Sequence, residues 1–456
     1  MDPNLGHEIE IQVQERDIEG DQETVVQVPG INTFMRLPTY MRDANQGLFE
    51  PRVVAIGPYH HANNSTRDME AHKERFRYGF FQRLGINVNR RDITAQCTEG
   101  ALRCYSGNVG MYTTEDLMRD GCFIIELLIQ WNDQGRSAHV DNHMRLMSNS
   151  IYYDLLLVDN QVPFFMLNRI YGEYKRRANG NPAKLVDLIT IFFNHEGQFS
   201  WANNLEQLCL SNAVQVRHLL DLQYNLIISN NMETEPTLNN CPLSMCGNIC
   251  HSMSSMPRAI PGANELQDYG VKFCANKNQQ RKIFDVTFEC KTISIPRFEI
   301  NFGSKILLAN FFAHDQITHQ PGIQIKGQPG NSVGPVTSYV VLMNSLINTK
   351  EDVMVLQRKG ILDNLLSNEE EVANFFNKLG RCALVDVREH RYTSMFNDIN
   401  KYWKSTLNIC KYLVIFRTKH FRNPWTGLSL AGALMVLVFS CTSMIIAILN
   451  YRGRKH

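Results

Sequence analysis

The sequence predicts an α+β protein that is predominantly α-helical, carries a small antiparallel β-sheet and ends in one transmembrane helix. Three observations carry this. Residues Leu428 to Leu449, LSLAGALMVLVFSCTSMIIAIL, hold no charged side chain, and as a helix they would span about 33 Å, enough to cross a hydrocarbon core of ~30 Å. Apolar residues recur at helical spacing between capping signals in segments such as 115–130, 163–171 and 367–380. Between 271 and 300 the period changes to short, alternating β-branched runs.

The length of 456 residues suits one large domain or two to three ordinary ones. Lysine plus arginine (46) balances aspartate plus glutamate (45), so no global field draws the chain to a nucleic-acid backbone, and nucleic-acid binding is not expected. Twelve cysteines are scattered without a dense framework, and Cys122, Cys382, Cys410 and Cys441 sit in apolar runs where a thiol behaves as a small hydrophobe. The N-terminal MDPNLGHEIE has no basic segment followed by an apolar stretch. Both facts favour a reducing compartment for the bulk of the protein.

Taken in order, residues 1–30 read as an acidic flexible arm. Glu8, Glu10, Glu15, Asp17, Glu19, Asp21 and Glu23 are opposed only by Arg16, with almost no large apolar anchors; a docking segment for a basic partner is the alternative. Residues 31–420 form the globular domain. Within it VVAIGPYHH (53–61) runs from a strand-like segment through Gly57 and Pro58 into Tyr59, His60 and His61. Adjacent histidines project in different directions, whereas a two-ligand helical site needs i, i+4 spacing. In STRDMEAHKERF, Ser65 or Thr66 is the expected cap of a helix on which Glu70 and His72 point about 200° apart, while Asp68 and His72 share a face. The histidines are therefore expected to end a strand and bond across a domain seam; a metal or hydrolytic centre at GPYHH is the rival reading.

EDLMRDGCFIIELLIQ (115–130), capped by Thr113 or Thr114 and containing Asp120 and Gly121, is apolar around most of its circumference and is expected to be a buried helix. In DLLLVDNQVPFFMLNRIY (154–171), Asp159 and Asn160 serve as helix-start signals, Gln161 follows, and Pro163 falls near the first turn, where its missing N–H costs nothing; Phe164, Phe165, Leu167 and Ile170 give an apolar side. A polar loop is expected over about 229–260. VKFCAN, KIFDVTFEC and TISIPRFEI then make the small antiparallel sheet, with Pro296 at an edge or bend. After the connector QPGIQIKGQPGNSVGP, residues 337–420 form a helical C-terminal half. There SNEEEVANFFNKLG offers Ser367 as cap, Glu370 as its capping-box partner and Gly380 as a left-handed terminator. Met395, Ile399, Tyr402, Leu407, Cys410 and Val414 mark an amphipathic helix between Tyr392 and Phe416.

Catalytic signatures are missing. Cys246, Cys250 and His251 lack the paired C-x-x-C spacing of structural zinc sites, and Gly427-Leu428-Ser429-Leu430-Ala431 resembles a nucleophile elbow only loosely. No G-x-x-x-x-G-K-[ST], G-x-G-x-x-G or H-E-x-x-H occurs. No catalytic residue, cofactor or metal is assigned, and the expected partners are a lipid bilayer through Leu428–Leu449 and an unidentified protein. Trp425 and Tyr451 suit the two membrane interfaces, and basic residues flank both sides, ending in the short tail 450–456. Insertion after synthesis would leave the large N-terminal part cytosolic, as a tail anchor in the plasma membrane or an endomembrane. Asn63-Asn64-Ser65-Thr66 holds two overlapping glycan acceptors, whose use would reverse that orientation.

AIGPYHH with DMEAHK, DGCFIIELL, DLLLVDNQVPFFML, ELQDYGVKF with FDVTFE and ISIPRFEI, SLINTKEDVMVL, EEEVANFFNKLG and a final NPW before the span resemble, in order, the plant-specific domain-of-unknown-function family 247, also called uncharacterised protein family 0481. The likeness covers residues 31 to 449. It implies a plant protein with a single C-terminal membrane anchor. Some grass members are associated with self-incompatibility as male determinants, so the resemblance implies a recognition or signalling role. Two blocks depart from the family's pattern: FMRLP stands in place of its usual entry, and His314-Asp315-Gln316 replaces its usual Glu-Gln. Gly57, Pro58, Tyr59, His60, His61, Glu70, Asp120, Gly121, Asp159, Asn160, Gln161, Pro163, Phe164 and Phe165 are family-motif positions without an assigned role.

Overall fold

The computed structural model describes residues 34–85, 88–133, 142–178, 180–196, 216–231, 259–276, 283–319, 333–383, 390–404 and 424–453. The acidic arm, most of the expected loop at 229–260, with Cys246, Cys250 and His251, and the positions from Leu407 to Phe416 lie outside these residues.

The N-terminal half is a helical assembly built around one hydrophobic helix. α1 (Thr39–Ala44), α2 (Met69–Leu84) and α3 (Arg90–Thr98) precede α4 (Thr114–Asp133), whose residues from Leu117 to Ile129 are buried except for Arg119, which is half-buried. Thr113 begins α4 as expected: its backbone N–H donates to Asp116 Oδ2 at 2.9 Å and its hydroxyl accepts from the Asp116 N–H at 3.2 Å. The apolar circumference of α4 is covered on several sides by α2, α3, α6 (Phe164–Arg177) and α7 (Leu185–Glu196). Gly121 lets α6 come close, since a Cβ there would lie 2.5 Å from Ile170 Cδ1 and 2.6 Å from Met166 Cε. α5 (Asn142–Asp154) and α8 (Leu219–Asn231) complete this half.

The C-terminal half joins it through α10 (Phe302–Thr318), which packs on both α5 and α8. After α9 (Ala263–Asp268) come β1 (Lys272–Asn276), β2 (Thr287–Glu289) and β3 (Thr292–Pro296). The expected antiparallel pairing holds for β2 and β3, joined by Cys290 and Lys291 at positive φ (49° and 64°), as a tight two-residue hairpin requires. The sheet is nevertheless mixed, because β1 pairs with β3 in parallel, Phe273 opposite Ile293. The TISIPRFEI run breaks after Pro296, and its second part becomes β4 (Phe298–Ile300), which pairs in parallel with the distant β5 (Leu362–Asn364).

α11 (Pro335–Leu346), α12 (Lys350–Arg358) and α13 (Glu369–Arg381) pack together beside α10. At α13 two expectations are corrected. Asn368, not Ser367, is the cap, its Oδ1 accepting from the Glu371 N–H at 2.8 Å. Gly380 lies inside the helix, where a Cβ would stand 2.3 Å from Asn344 Cγ; it serves close packing against α11, not termination. α14 (Thr393–Lys404) buries Met395 and Ile399, and Tyr402 donates to the Tyr269 carbonyl at 3.0 Å. Finally α15 (Pro424–Gly453) contains Leu428–Ala447, 20 residues of mean hydropathy 2.3, none of them buried against the domain. By length and composition this helix is a candidate membrane span.

Candidate functional site

Two of the family-motif residues, Asp120 and Asn160, meet at the segment Pro51 to Gly57, which is mostly buried and pairs with no strand. A buried extended chain must still satisfy its N–H and C=O groups, and here side chains do so. Asp154 Oδ1 accepts from the N–H of Arg52 at 3.0 Å, and its Oδ2 accepts from those of Val53 at 2.7 Å and Val54 at 2.8 Å. Asn160 Oδ1 accepts from Ile56 N–H at 2.6 Å while its amide donates to the carbonyls of Val54 and Asp154. Asp120 Oδ2 accepts from Gly57 N–H at 2.8 Å and from the Tyr112 hydroxyl at 2.5 Å.

Lys73 completes this arrangement. It sits on the apolar face of α2 with Met69, Phe76 and Phe80 and is 1% exposed. Its ammonium lies 2.8 Å from the Ala55 carbonyl, 2.7 Å from Asp120 Oδ1 and 2.5 Å from Glu70 Oε1. Three acceptors stand against its three donors. Glu70 is held in turn by Arg119 at 2.9 Å. Gly57 has φ +74°, and a Cβ there would lie 2.7 Å from the Gln161 carbonyl. That carbonyl accepts from the Tyr105 hydroxyl at 2.8 Å, and Tyr59 donates its own hydroxyl to the Phe34 carbonyl at 2.8 Å.

Asp159 and Asn160 are five and four residues before Phe164, the first residue of α6, and neither caps it. Each is drawn instead to a distant backbone group. Asp159 accepts from the Leu37 N–H at 2.9 Å and pairs with Arg42 at 2.6 Å, tying the incoming chain to the core. Gln161 donates to the carbonyls of Leu155 and Leu157 and accepts from the Leu220 N–H. Pro163 precedes α6 directly; Phe164 is buried and Phe165 carries the Arg169 guanidinium 4.8 Å over its ring. Ser65 and Thr66 likewise do not cap α2: they sit in a short 3-10 turn, where Asn63 Oδ1 accepts from Ser65 N–H at 3.1 Å.

The two histidines diverge. His60 is buried with Nδ1 3.3 Å from Glu50 Oε2, whereas His61 turns its ring to the edge of Tyr112 at 5.1 Å. Burial, reinforced by Arg42 and Arg36, holds His60 down at about 4, which keeps the imidazole neutral near pH 7. Among the described residues no group of three or more His, Cys, Asp or Glu side chains could hold a metal ion. Pro58 and Tyr59 are half-buried beside these rings. A cleft of about 630 Å³ lies between α3 and α6, and none of the motif residues lines it. Gly427 to Ala431 lie within the first turns of α15, so the strand-to-helix bend of a nucleophile elbow is not formed there.

A second buried polar cluster lies between α8 and α10 and includes His314 and Asp315. His314 Nε2 is 3.0 Å from Asp221 Oδ1, which also accepts from Arg217 at 2.8 Å. His218 Nδ1 accepts from the Asp221 N–H, and its ring meets that of His314 edge-on at 5.2 Å. Asp315 is bonded by the Tyr224 hydroxyl and, at 2.8 Å, by Thr337 N–H. Burial would raise the Asp221 carboxyl, but the His314 bond and Arg217 overcome it and hold the group well below the usual carboxylate range. Burial lowers both His218 and His314, the Asp221 contact opposing it only in part.

Lys73, Tyr112, Asp154, Asn310 and this second cluster escape a reading of the sequence alone. The available signal was polar residues in apolar register: Lys73 in the Met69, Phe76, Phe80 stripe, and Asn310 in LLANFFA. Asn310 Oδ1 accepts from Val158 N–H while its amide donates to Leu48 O.

The profile of DUF247, described as a plant protein of unknown function, matches residues 34–439. The chain belongs to this family. UPF0481 protein At3g47200 of Arabidopsis thaliana is 26% identical over 446 residues, covering 92% of this chain and 87% of that protein. A second Arabidopsis thaliana protein of the same group, UPF0481 protein At3g02645, is 19% identical over 525 residues, covering 95% and 92%. No solved structure matches. In this DUF247 protein two of the motif positions, Asp120 and Asn160, bond the backbone of the segment Pro51 to Gly57.

Proposed function

We propose that this DUF247 protein is a non-catalytic, single-pass membrane protein whose helical domain faces the cytosol and binds a protein partner in plant recognition or signalling. The observation that carries the reading is α15: Leu428–Ala447 exposes about 30 Å of apolar helix, matched to a hydrocarbon core, with no covering from the domain. The buried polar network supports the non-catalytic part, because the motif residues Asp120 and Asn160, with Lys73 and Asp154 beside them, spend their donors and acceptors on backbone and on each other.

Alkaline carbonate extraction of membranes tests the anchor. The full chain stays in the pellet and a chain ending before Arg417 moves to the supernatant; a full chain that washes off removes the proposal. Protease treatment of sealed vesicles tests the orientation, with digestion of the domain expected and its survival inside the vesicle against it. For the partner, proximity labelling in plant membranes is compared with labelling by a chain lacking 425–456. Loss of biological function in His60→Ala plus His61→Ala, with fold and membrane attachment intact, would favour the rival enzyme reading. The finer role implied by the family resemblance, a pollen determinant of self-incompatibility, predicts that disrupting this chain changes the outcome of a self-pollination.

A further inference from the structure

The acids of this chain stop at Asp398. All 45 of them lie at or before that residue, while nine lysines and arginines follow it. Six, Lys401, Lys404, Lys411, Arg417, Lys419 and Arg422, come before the apolar run of α15, and Arg452, Arg454 and Lys455 come after it. Aromatic residues are interleaved with the first group, from Tyr402 and Trp403 through Tyr412, Phe416 and Phe421 to Trp425, which is 77% exposed.

The point at which this stretch leaves the domain is pinned. Tyr402 near the end of α14 donates to the Tyr269 carbonyl, the Lys291 ammonium stands 5.1 Å from the centre of its ring, and Trp403 meets the Tyr269 ring edge-on at 6.2 Å. The domain surface around that exit carries little net charge: Lys272, Lys291 and Lys401 are exposed there, but so are Asp268, Glu289 and Asp398, the last of them 3.5 Å from Lys401. The excess of positive charge belongs to the connector between α14 and α15, where Lys411, Arg417, Lys419 and Arg422 have no acid among them.

We propose that this connector binds the headgroups of anionic phospholipids in the leaflet that faces the domain, an inference that rests on α15 crossing the bilayer as proposed above. Position selects the partner. Trp425 suits the interface at the start of the span, and Arg417, Lys419 and Arg422 lie within eight residues of it, so the chain cannot carry them more than about 30 Å from the headgroups. A polybasic run beside a span is attracted to lipid phosphates and carboxylates over about a Debye length, ~8 Å at physiological salt. Tyr412, Phe416 and Phe421 between the cations add side chains that favour the same interface. An anionic leaflet then draws the exit end of α14, and the β2–β3 hairpin that carries Lys291, towards the membrane surface.

The full chain is reconstituted into phosphatidylcholine vesicles holding a trace of spin-labelled phosphatidylserine or of spin-labelled phosphatidylcholine, and the immobilised fraction of each probe is read by electron paramagnetic resonance. The serine lipid is expected to associate about threefold more strongly at low salt, and the two probes equally at about 0.5 M salt, where screening acts within a few ångströms. A chain carrying Lys411→Gln, Arg417→Gln, Lys419→Gln and Arg422→Gln is expected to lose the preference, and one carrying Arg452→Gln, Arg454→Gln and Lys455→Gln to keep most of it. Each probe occupies both leaflets, so the reading does not depend on the direction of insertion. Equal association of the two probes with the full chain at low salt overturns the proposal, whether the cations are then idle or held by the acidic arm. A preference that survives the connector substitutions and falls with those of the tail overturns it too. Flotation of the vesicles keeps the two readings apart: a chain left behind removes the anchor itself, and the proposal with it.

Discussion

The two buried polar clusters put the same residue types to different uses. Around Pro51–Gly57, carboxylates and amides bond backbone N–H groups of a segment that has no strand beside it, and the backbone cannot turn away if a partner is lost. Between α8 and α10 the acids Asp221 and Asp315 bond three side chains, an imidazole, a guanidinium and a phenol, as well as the N–H groups of Arg217 and Thr337. The first cluster therefore defines the fold, while the second tunes its stability and its response to protons.

The contrast is sharpest at Asp120. Asp120→Ala leaves the Lys73 ammonium and the Gly57 N–H buried without their partner and is expected to cost about 3–5 kcal/mol, read as a lower denaturation midpoint. Acidification comes next. Burial keeps His60 and His390 down at about 4 and also lowers His218 and His314. The unfolded chain takes up those protons near its ordinary value of about 6.5, so stability is whole above that pH and drains as the pH falls towards 4. His60 alone is expected to account for about 3 kcal/mol at pH 4, a loss that His60→Gln removes from the pH profile. Asp154, which burial pushes up to about 6, works in the opposite sense between its unfolded value and that pH, and offsets part of the loss.

Gly57→Ala forces a side chain into φ +74° against the Gln161 carbonyl and is expected to cost about 2–3 kcal/mol in thermal unfolding. Asp221→Asn, by contrast, releases Arg217, which is already partly exposed, and is expected to cost about 1–2 kcal/mol; a loss as large as that of Asp120→Ala would erase the distinction between the clusters. The smallest effect separates two neighbouring residues: Asn368→Ala is expected to lower stability by about 1 kcal/mol and Ser367→Ala by close to nothing.

Periodicity made much of the fold legible. α4, α6 and α15 fall where apolar spacing, Pro163 and the uncharged C-terminal run place them, since each of those signals is local. The motif residues were legible as a set, but their roles were not. Asp159 and Asn160 have the composition of helix caps, yet their partners Leu37, Arg42, Val54 and Ile56 are more than a hundred residues away, and nothing in the local sequence points there. The same holds for the sheets. Alternation announces a strand but says nothing of its neighbour, so the parallel pairings of β1 with β3 and of β4 with β5 were hidden. Ser367 misled because a serine and an asparagine stood side by side at the start of α13, and only backbone geometry chooses between them.

Asn310 bonds at once to Leu48 and to Val158. A ribosome releasing this chain delivers those contacts in instalments: the early helices emerge long before the amide that joins them to the rest. The first third of the polypeptide must wait, with its middle strap unfastened, until more than three hundred residues have been made, which makes it a natural client for chaperones during synthesis.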